Sequence, residues 1–367
     1  MRICFIALGK FTHIPAYLEY FAEAGYDVHF VALTPGPARG VPTHNVGGVV
    51  RLPSKLGYLP AMWRARRVVR SLAPDIVHAH YATSAGLAAY VCGVHPYVVT
   101  AHGTDVRQGA KSILWRSILR QVFQSADCVN PVSEELKDEI LGLGISPQKV
   151  ETFTLGIDTR RFRFPGGHWR ALGSPLRLIC TRQLEEVYDH RTIIGAMAIL
   201  ARQRIDFRLT LVGGGALRER LDAYAREQGI GERTTFVGAV PNGRLPELLR
   251  NHDVYLSAST SDGTSLSLLE AMASGIYPVV SDIRANRVWL SHGHNGLLHR
   301  VSEPQSLADC VLALLQDPGQ VQKALRVNRE LVELRGDRTA NMKHLEEVYH
   351  RLRRKVPSAT PLLAEVG

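Results

Sequence analysis

The densest set of groups that could bind a ligand lies at residues 254–281, VYLSASTSDGTSLSLLEAMASGIYPVVS. Their pattern predicts a strand, a polar loop, a helix that stops at a glycine, and a second strand. The first N–H groups of a helix have no partner inside it, so they attract anions such as a diphosphate. Here those groups belong to Thr264, Ser265 and Leu266. The stretch therefore predicts an anion site at the start of the helix.

The helix of this stretch, LSLLEAMA, carries a single charge, Glu270. Because the helix is apolar around its circumference, we expect it to be buried. A buried carboxylate is costly unless it has partners. Two interpretations stay open: a salt bridge to a core arginine, or an acceptor for ligand hydroxyls such as those of a ribose. Asp262, eight positions earlier on the loop, could face the same ligand.

Two glycine-containing stretches match nucleotide-binding motifs only in part. Gly9 and Lys10 are followed by Phe11, where a P-loop requires Ser or Thr to touch magnesium. The glycine triplet 213–215 follows a predicted strand, but Arg218 stands where a dinucleotide-binding motif needs a small residue. Neither stretch predicts a site of those classes, and we expect the triplet to serve tight strand-to-helix packing.

A metal site is not predicted from the histidines or the cysteines. His78 and His80 lie two apart at a strand end and share one face, but a metal needs a third ligand and none is evident nearby in the sequence. We therefore interpret them as ordinary strand-end histidines. The five cysteines are far apart with no CxxC pair, as expected of reduced core residues in a cytosolic protein.

Short apolar runs alternate with helical patterns along the chain, which is typical of βαβ units and a mostly parallel sheet. The predicted strands are residues 2–8, 27–33, 75–79, 97–100, 128–131, 176–181, 207–212, 234–237, 254–258 and 277–281. A break rich in Gly and Pro falls at residues 163–175. We therefore expect an α/β protein of two facing, doubly wound domains, residues 1–167 and 168–350, with a loose tail at 351–367. Ligands of such sheets bind outside the carboxyl ends of the strands.

Composition and charge narrow the classes of function. The chain has 367 residues, of which 45% are apolar and 21% charged, so disorder and collagen-like repeats are excluded. Lys and Arg number 44 against 34 Asp and Glu, a net charge of +10 that favours anionic partners. The sequence shows neither an unbroken apolar run of about 18 residues nor a signal peptide pattern at its start. We therefore expect a cytoplasmic protein.

A basic surface is predicted near residues 51–70, which contain six basic residues and no acid. A helix is predicted over residues 60–72. The residues expected on or beside its solvent-facing side are Trp63, Arg64, Arg66, Arg67 and Arg70. A second group with the same character comprises Lys111, Trp115, Arg116 and Arg120. A solvated helix face and an anionic membrane surface are both open interpretations. Nucleic acid is disfavoured, because no binding motif accompanies the charge.

Seven residues separate Asp262 from Glu270, and the sequence ASG and a predicted strand follow. This pattern resembles the signature of the retaining glycosyltransferases of family 4. Further segments are similar to that family in order from about residue 2 to 318. They include DIVHAHYATSAGLAA, VTAHGTDV, NPVSEELKDEILGLGISPQKVETFTLGIDTRRF, LTLVGGG and SHGHNGLLHRVSEPQSLADCVLALLQDP. The resemblance implies the GT-B architecture, in which two Rossmann-like domains face each other across a cleft.

The resemblance also implies roles for single residues. His102 is expected to contact the donor sugar, Arg182 the phosphates, Asp262 the sugar hydroxyls and Glu270 the ribose. Gly9 is expected to let the backbone approach the diphosphate. Backbone groups near Val237 and Gly238 are expected to recognise the base.

Two departures from the family pattern are present. The first acid is Asp262 where the family usually has Glu, and no lysine follows Arg182, since residues 185–191 read EEVYDHR. His190 or Arg191 could carry the missing charge.

The reaction implied is transfer of a hexosyl group, with retention and without a metal or other cofactor, from a UDP-sugar or, alternatively, a GDP-sugar. The acceptor implied is a glycan or lipid-linked molecule of cell-envelope polysaccharide or glycoconjugate synthesis. Other interpretations left open are a GT-B epimerase or phosphorylase, and a GT-B protein that binds nucleotide sugars without turnover.

Overall fold

The computed structural model describes residues 1–11, 13–36, 40–47, 59–163 and 172–355. The chain divides into two compact units. Unit 1 comprises residues 1–155 together with the chain from residue 340 onward, and unit 2 comprises residues 156–339.

Unit 1 contains a six-stranded sheet in which every paired strand runs parallel to its neighbour. Its strands are β1 Arg2–Ala7, β2 Asp27–Ala32, β3 Thr43–Asn45, β4 Ile76–His80, β5 Tyr97–Ala101 and β6 Cys128–Pro131, in the order β3-β2-β1-β4-β5-β6. Strands β4 and β5, IVHAH and YVVTA, are buried along their whole length because helices cover both faces of a parallel sheet.

The helices of unit 1 follow the strands in regular alternation. They are α1 Ile14–Glu23, α2 Leu59–Leu72, α3 Leu87–Cys92, α4 Thr104–Ala110, α5 Ile113–Ser125 and α6 Glu134–Leu141. A π-helical turn at Tyr81–Gly86 leads from β4 into α3. Local sequence explains several ends: Gly93 stops α3 in the left-handed conformation, and Ser133 caps α6 by accepting the N–H of Leu136.

Unit 2 repeats this architecture with a second six-stranded parallel sheet. Its strands are β7 Leu176–Cys180, β8 Phe207–Val212, β9 Thr234–Gly238, β10 Val254–Ser257, β11 Tyr277–Ser281 and β12 Leu297–His299, in the order β12-β11-β10-β7-β8-β9. The helices are α7 His190–Arg202, α8 Arg218–Glu227, α9 Leu245–Arg250, α10 Leu266–Ala273, α11 Arg284–Arg287, α12 Pro304–Gln316 and α13 Val321–Arg335. A last helix, α14 Arg338–Lys355, runs from unit 2 into unit 1.

Both sheets have the same strand order, and in each the direction of winding reverses beside the first strand. The reversal lies between β1 and β4 in unit 1 and between β7 and β10 in unit 2. Ligands of doubly wound sheets bind outside the carboxyl ends of the strands at this point. The polar residues after these four strands are therefore the first candidates for a site.

The predicted alternation of strands and helices is confirmed, and the helix predicted over 60–72 is α2. The division of the chain differs from the predicted one. The units part between Leu155 and Gly156, whereas the predicted boundary at 167/168 lies outside the described residues. Residues 340–350, assigned from sequence to the second domain, belong to unit 1.

The packing of α14 explains why its residues belong to unit 1. Tyr349 is fully buried, its hydroxyl contacts His78 Nδ1 at 2.5 Å, and its ring lies 5.2 Å from that of Phe21. Residues 351–355 of the predicted tail are helical, and 356–367 lie outside the described residues. Within the described ranges, no helix has the length and apolarity needed to cross a membrane.

Candidate active site

Arg182 lies two residues beyond β7, and the loop after β10 holds its guanidinium. Nη1 donates to Oγ of Ser265 and of Ser267, each at 3.1 Å, and Nη2 pairs with Oδ2 of Asp262 at 2.5 Å. The ring of Tyr188 lies 4.1 Å from Cζ. Nε is buried and has no hydrogen-bond partner among the described residues. Burial, the largest single effect, acts to lower the pKa of Arg182, but Asp262 together with Tyr255, Tyr188 and Cys180 raises it by more in sum, so the group stays charged.

The start of α10 lies beside this guanidinium. Ser265 is the N-cap, and its Oγ accepts the N–H of Leu268 at 3.3 Å as well as the arginine bond. In the described part of the chain, the amide groups of Ser265 and Leu266 make no hydrogen bond to another residue. The predicted helix start is thus confirmed, with two backbone donors beside a buried positive charge. This arrangement suits a phosphate group. Thr264 precedes the cap in the same loop.

Glu270 lies on the second turn of α10 and is partly exposed. Its carboxylate makes neither a hydrogen bond nor an ion pair with any described residue, so the salt bridge considered from sequence is not formed. Burial raises its pKa to about 7, against Arg338, Arg161 and Arg182, which act to lower it. A carboxylate left without partners beside a phosphate-type site is well placed to accept ligand hydroxyls.

The glycine triplet after β8 packs against the segment that carries Arg182. A Cβ on Gly213 would lie 2.3 Å from the carbonyl oxygen of Arg182, and one on Gly215 would lie 2.3 Å from that of Leu184. Both glycines have positive φ, at 150° and 154°. Leu184 N also donates to Gly214 O at 2.8 Å. The triplet therefore positions the loop after β7, whereas the sequence suggested strand-to-helix packing.

Neither residue that could replace the missing lysine is placed to do so. His190 is buried at the start of α7, and burial, helped by the nearby Arg182, lowers its pKa to about 4. It is therefore neutral at pH 7 and packs beside Cys180, with Nε2 to Sγ at 3.7 Å. Arg191 instead lies over the ring of Tyr224, 4.0 Å from its centroid. Arg182 is the cation that the loop after β7 directs at the start of α10.

Val237 and Gly238, predicted to lie near the base, form the end of β9. Val237 is 40% exposed, and the carbonyl of Gly238 accepts the N–H of Gly213. This contact joins the predicted base-binding strand to the loop that carries the glycine triplet.

In unit 1, His102 follows β5 and lies among other aromatic rings. It stacks on Tyr81 at 4.5 Å and 14°, and it lies 4.5 Å from His13 and 5.6 Å from His80 between ring centroids. Burial lowers the pKa of His102 and of His80 well below the ordinary value, so both rings are neutral near pH 7. The cluster lies beyond the carboxyl ends of β1, β4 and β5.

Asp105 fixes the backbone around this cluster. Its carboxylate accepts the N–H groups of Ala82 at 2.7 Å, His102 at 3.1 Å and Gly103 at 2.9 Å. It thereby ties the segment after β4 to the segment after β5. Asp105 lies three positions after His102 in the segment VTAHGTDV, and no role was predicted for it from sequence. The structure shows that it is a positioning residue.

One further residue of unit 1, Tyr81, was not found from sequence. Tyr81 has a φ of 78°, rare for a residue with a side chain, and its ring is stacked between Phe11 at 4.3 Å and His102. A backbone outlier beside a π-helical turn is a common mark of a functional site, but neither feature has a signal in the sequence.

Gly9 has a packing role that the sequence did not reveal. A Cβ there would lie 2.3 Å from the carbonyl oxygen of Thr34, and one on Gly36 would lie 2.3 Å from that of Gly9. The N–H of Gly9 donates to Thr34 Oγ1 at 3.0 Å. Contact with a diphosphate stays a prediction for this residue.

The basic surface on α2 contains two kinds of arginine. Trp63 is 66% exposed, and Arg64 and Arg67 are exposed beside it. Arg66 donates to the carbonyl of Val91, and Arg70 Nε donates to that of Cys92 at 3.1 Å, so these two cap the last turn of α3. Arg51 and Lys55 lie outside the described residues. Only part of the predicted surface is thus available to a partner.

Two models of glycosyltransferase families match the chain. The one described as Glycosyltransferase Family 4 matches residues 9–161, and the one described as Glycosyl transferases group 1 matches residues 170–330. The first match contains His102, and the second contains Arg182, Asp262 and Glu270.

Individual proteins with names and known structures are also similar. The amylovoran biosynthesis glycosyltransferase AmsK of Erwinia amylovora is 24% identical over 330 residues, which cover 87% of this chain and 79% of that protein. A sucrose-phosphate synthase from Thermosynechococcus elongatus matches with a TM-score of 0.82 at 18% identity, covering 97% of this chain and all of the other. HepE of Anabaena, in complex with UDP, matches with a TM-score of 0.79 at 16% identity, covering 96% of this chain and 100% of that one. The two structural matches show that the fold is shared.

Proposed function

The chain belongs to the glycosyltransferases of family 4 and has the GT-B fold, and we propose that it is a retaining transferase using a nucleoside diphosphate sugar. The donor proposed first is a UDP-sugar. The acceptor is a glycan or lipid-linked molecule in polysaccharide or glycoconjugate synthesis. The name of AmsK supports that setting, and the UDP in the HepE structure supports the nucleotide.

The observation that carries the proposal is the buried guanidinium of Arg182 beside the first turn of α10. Transfer breaks the bond between the anomeric carbon and a phosphate oxygen, so negative charge grows on the departing diphosphate. A fixed arginine and backbone donors stabilise that charge without having to reorganise. They act most strongly in the transition state, where the charge is largest.

The proton balance of the step needs no separate base. The acceptor hydroxyl oxygen bonds to the anomeric carbon, and its proton passes to the departing phosphate oxygen on the same face of the sugar. This front-face path retains the anomeric configuration. Asp262 then orients the sugar hydroxyls, and Glu270 holds the ribose. His102 of unit 1 remains the predicted contact to the sugar.

A lipid-linked acceptor is supported by the exposed residues of unit 1. Besides Trp63, the start of α5 exposes Ile113 by 92% and Leu114 by 67%, with Lys111 and Arg116 exposed on either side. Apolar side chains among basic ones are typical of attachment to anionic lipid. We propose reversible docking on such a membrane.

A nucleotide panel tests the donor assignment. UDP, GDP and ADP are added separately to the full chain, and the unfolding temperature is measured. The proposal expects UDP to stabilise the protein most, because a ligand that binds only the folded state raises its stability. A larger effect of GDP would change the assigned base, and no effect of any nucleotide would refute a nucleotide-sugar transferase.

A further inference from the structure

Three histidines from three different strand ends meet in unit 1. His13 precedes α1 after β1, His80 is the last residue of β4, and His102 follows β5. One ring nitrogen of each lies within 4.8 Å of those of the other two. In the sequence, the histidine nearest to His80 is His78, whereas the fold brings His13 and His102 to it.

His78 and His80 differ in their hydrogen bonds to the surrounding protein. His78 is hydrogen-bonded through both nitrogens, Nδ1 to Tyr349 Oη at 2.5 Å and Nε2 to Thr100 Oγ1 at 2.7 Å. It is a structural residue of the core.

His80 is equally buried but lacks such bonds. Its Nε2 has no partner among the described residues, and its Nδ1 lies 3.4 Å from His102 Nε2. That is beyond the usual hydrogen-bond range of about 2.7–3.2 Å. The nitrogen that faces His102, Nδ1, therefore has no ordinary hydrogen bond, and it is the His80 atom available to a ligand.

The spacing suits a metal ion better than a hydrogen bond. With Zn–N bonds of about 2.0–2.1 Å at tetrahedral angles, two ligand nitrogens lie about 3.3–3.4 Å apart. The 3.4 Å between His80 Nδ1 and His102 Nε2 matches this edge. A ring nitrogen of His13 lies within 4.8 Å of a ring nitrogen of each of the other two, so it would have to move by at most about 1.4 Å to complete the face. Three imidazole ligands and one open position are a ligand set found in catalytic zinc sites. Imidazole nitrogen binds cations of intermediate softness, such as Zn²⁺, in preference to the hard cations Mg²⁺ and Ca²⁺.

We propose that His13, His80 and His102 bind a borderline divalent cation of the Zn²⁺ type at the carboxyl ends of β1, β4 and β5. The surroundings favour a rigid site, because Asp105 fixes the backbone at His102 and the ring of Tyr17 packs edge-on against His80 at 4.5 Å. The cation site lies within unit 1 and goes beyond the proposed transferase activity. Because the family resemblance assigns His102 to the donor sugar, a bound cation and the donor would compete for this residue.

The test uses the full chain, freed of metal with EDTA and without nucleotide, so its result does not depend on the transferase proposal. Co²⁺ is the probe, since its visible absorption reports four-coordinate binding, and Zn²⁺ is then added to displace it. Wild type should bind one Co²⁺ per chain and release it to Zn²⁺. His13→Gln and His80→Ala should each weaken binding at least about tenfold, as loss of a ligand costs no less than loss of an outer partner.

A matched control comes from another histidine pair on the same sheet. His29 Nδ1 lies 3.2 Å from His44 Nε2, outside the proposed site. His44→Gln should leave Co²⁺ binding unchanged, and loss of binding in this variant would overturn the proposal. So would a wild type without the visible band, or normal binding in His13→Gln. His13 is less buried than His80, so Co²⁺ binding by His13→Gln still tests the proposal if His80→Ala does not fold.

Discussion

Arg182 and Asp262 form an ion pair across the carboxyl ends of β7 and β10, with Nη2 2.5 Å from Oδ2 and side chains only 11% and 17% exposed. The other Asp262 oxygen accepts the N–H of Gly263 at 2.9 Å. The aspartate thus balances the charge of the guanidinium. The family resemblance implies that Asp262 contacts the sugar and Arg182 the phosphates, so under the proposed function this ion pair would couple the two ends of the donor.

Replacing Arg182 should slow turnover far more than it weakens binding. Arg182→Ala removes charge that matters most as the diphosphate departs, so we expect a loss of at least about a hundredfold in kcat. Arg182→Lys should recover only part, since a point charge cannot span two oxygens. Steady-state kinetics with the donor measures both.

Arg191→Ala is the control for that experiment, because its guanidinium lies over the ring of Tyr224. Its rate should stay within about twofold of wild type. A loss in Arg191→Ala equal to that in Arg182→Ala would instead assign it the role of the missing lysine.

The glycine triplet offers a matched pair of substitutions. Gly213→Ala places a Cβ 2.3 Å from the carbonyl oxygen of Arg182 at a φ of 150°, so the loop after β7 must move. We expect a lower unfolding temperature and at least about a tenfold slower turnover. Gly214→Ala meets only the Cβ of Ala239, at 3.8 Å, and should change neither quantity. Equal behaviour of the two variants would show that the triplet does not position Arg182.

Glu270 should make stability depend on pH in a defined window. Burial raises its pKa from 4.5 to about 7, so the folded state holds this proton more tightly than the unfolded chain. Stability from the protonated group is full below pH 4.5 and is lost as the pH rises to about 7. The unfolding temperature of Glu270→Gln, relative to that of wild type, should therefore rise between pH 4.5 and about 7. Above about pH 7 the difference between the two proteins should stay constant.

The same variant should bind nucleotide more weakly, by about 1.5–3 kcal/mol, the value of hydrogen bonds to a charged group. Glu219→Gln, an exposed residue in the first turn of α8, is the control and should change neither property. Unchanged nucleotide affinity in folded Glu270→Gln would remove the ribose assignment.

The surface of α2 should attach the protein to anionic vesicles. Arg64→Glu with Arg67→Glu avoids the two arginines that cap α3. Since each base near an anionic leaflet contributes about 1 kcal/mol, co-sedimentation at low salt should weaken at least about tenfold. High salt should weaken wild type as well. Arg202→Glu with Arg326→Glu makes the same change of charge on unit 2 and should have little effect. If wild type does not co-sediment with anionic vesicles at low salt, the exposed surface of α2 is only a solvated helix face.

Much of the fold was predictable because parallel strands buried on both faces read as short apolar runs. Strands β6, β8 and β11 were predicted to the residue for this reason. The three-residue strands β3 and β12 lie at the sheet edges, where apolar runs are short, and were missed. The assignment of α14 to unit 1 depends on the burial of Tyr349, which no local pattern reports.

The residues of the site were found one at a time, but their partners were not. Arg182 and Asp262 are 80 positions apart and meet because β10 lies beside β7, an order set by the whole sheet. The histidine cluster was missed for the same reason. The spacing of His78 and His80 is visible in the sequence, whereas the contacts of His80 with His13 and His102 depend on the order of β1, β4 and β5.

Hydrolysis of the donor in the absence of an acceptor measures cleavage of the bond between sugar and phosphate by itself. The full chain is incubated with UDP-sugars, one at a time, and release of UDP is followed over time for wild type and Arg182→Ala. We expect slow release of UDP by wild type from at least one donor, and a loss of at least about a hundredfold in the variant. UDP binding without release from any UDP-sugar, or release that is the same in Arg182→Ala, would contradict it.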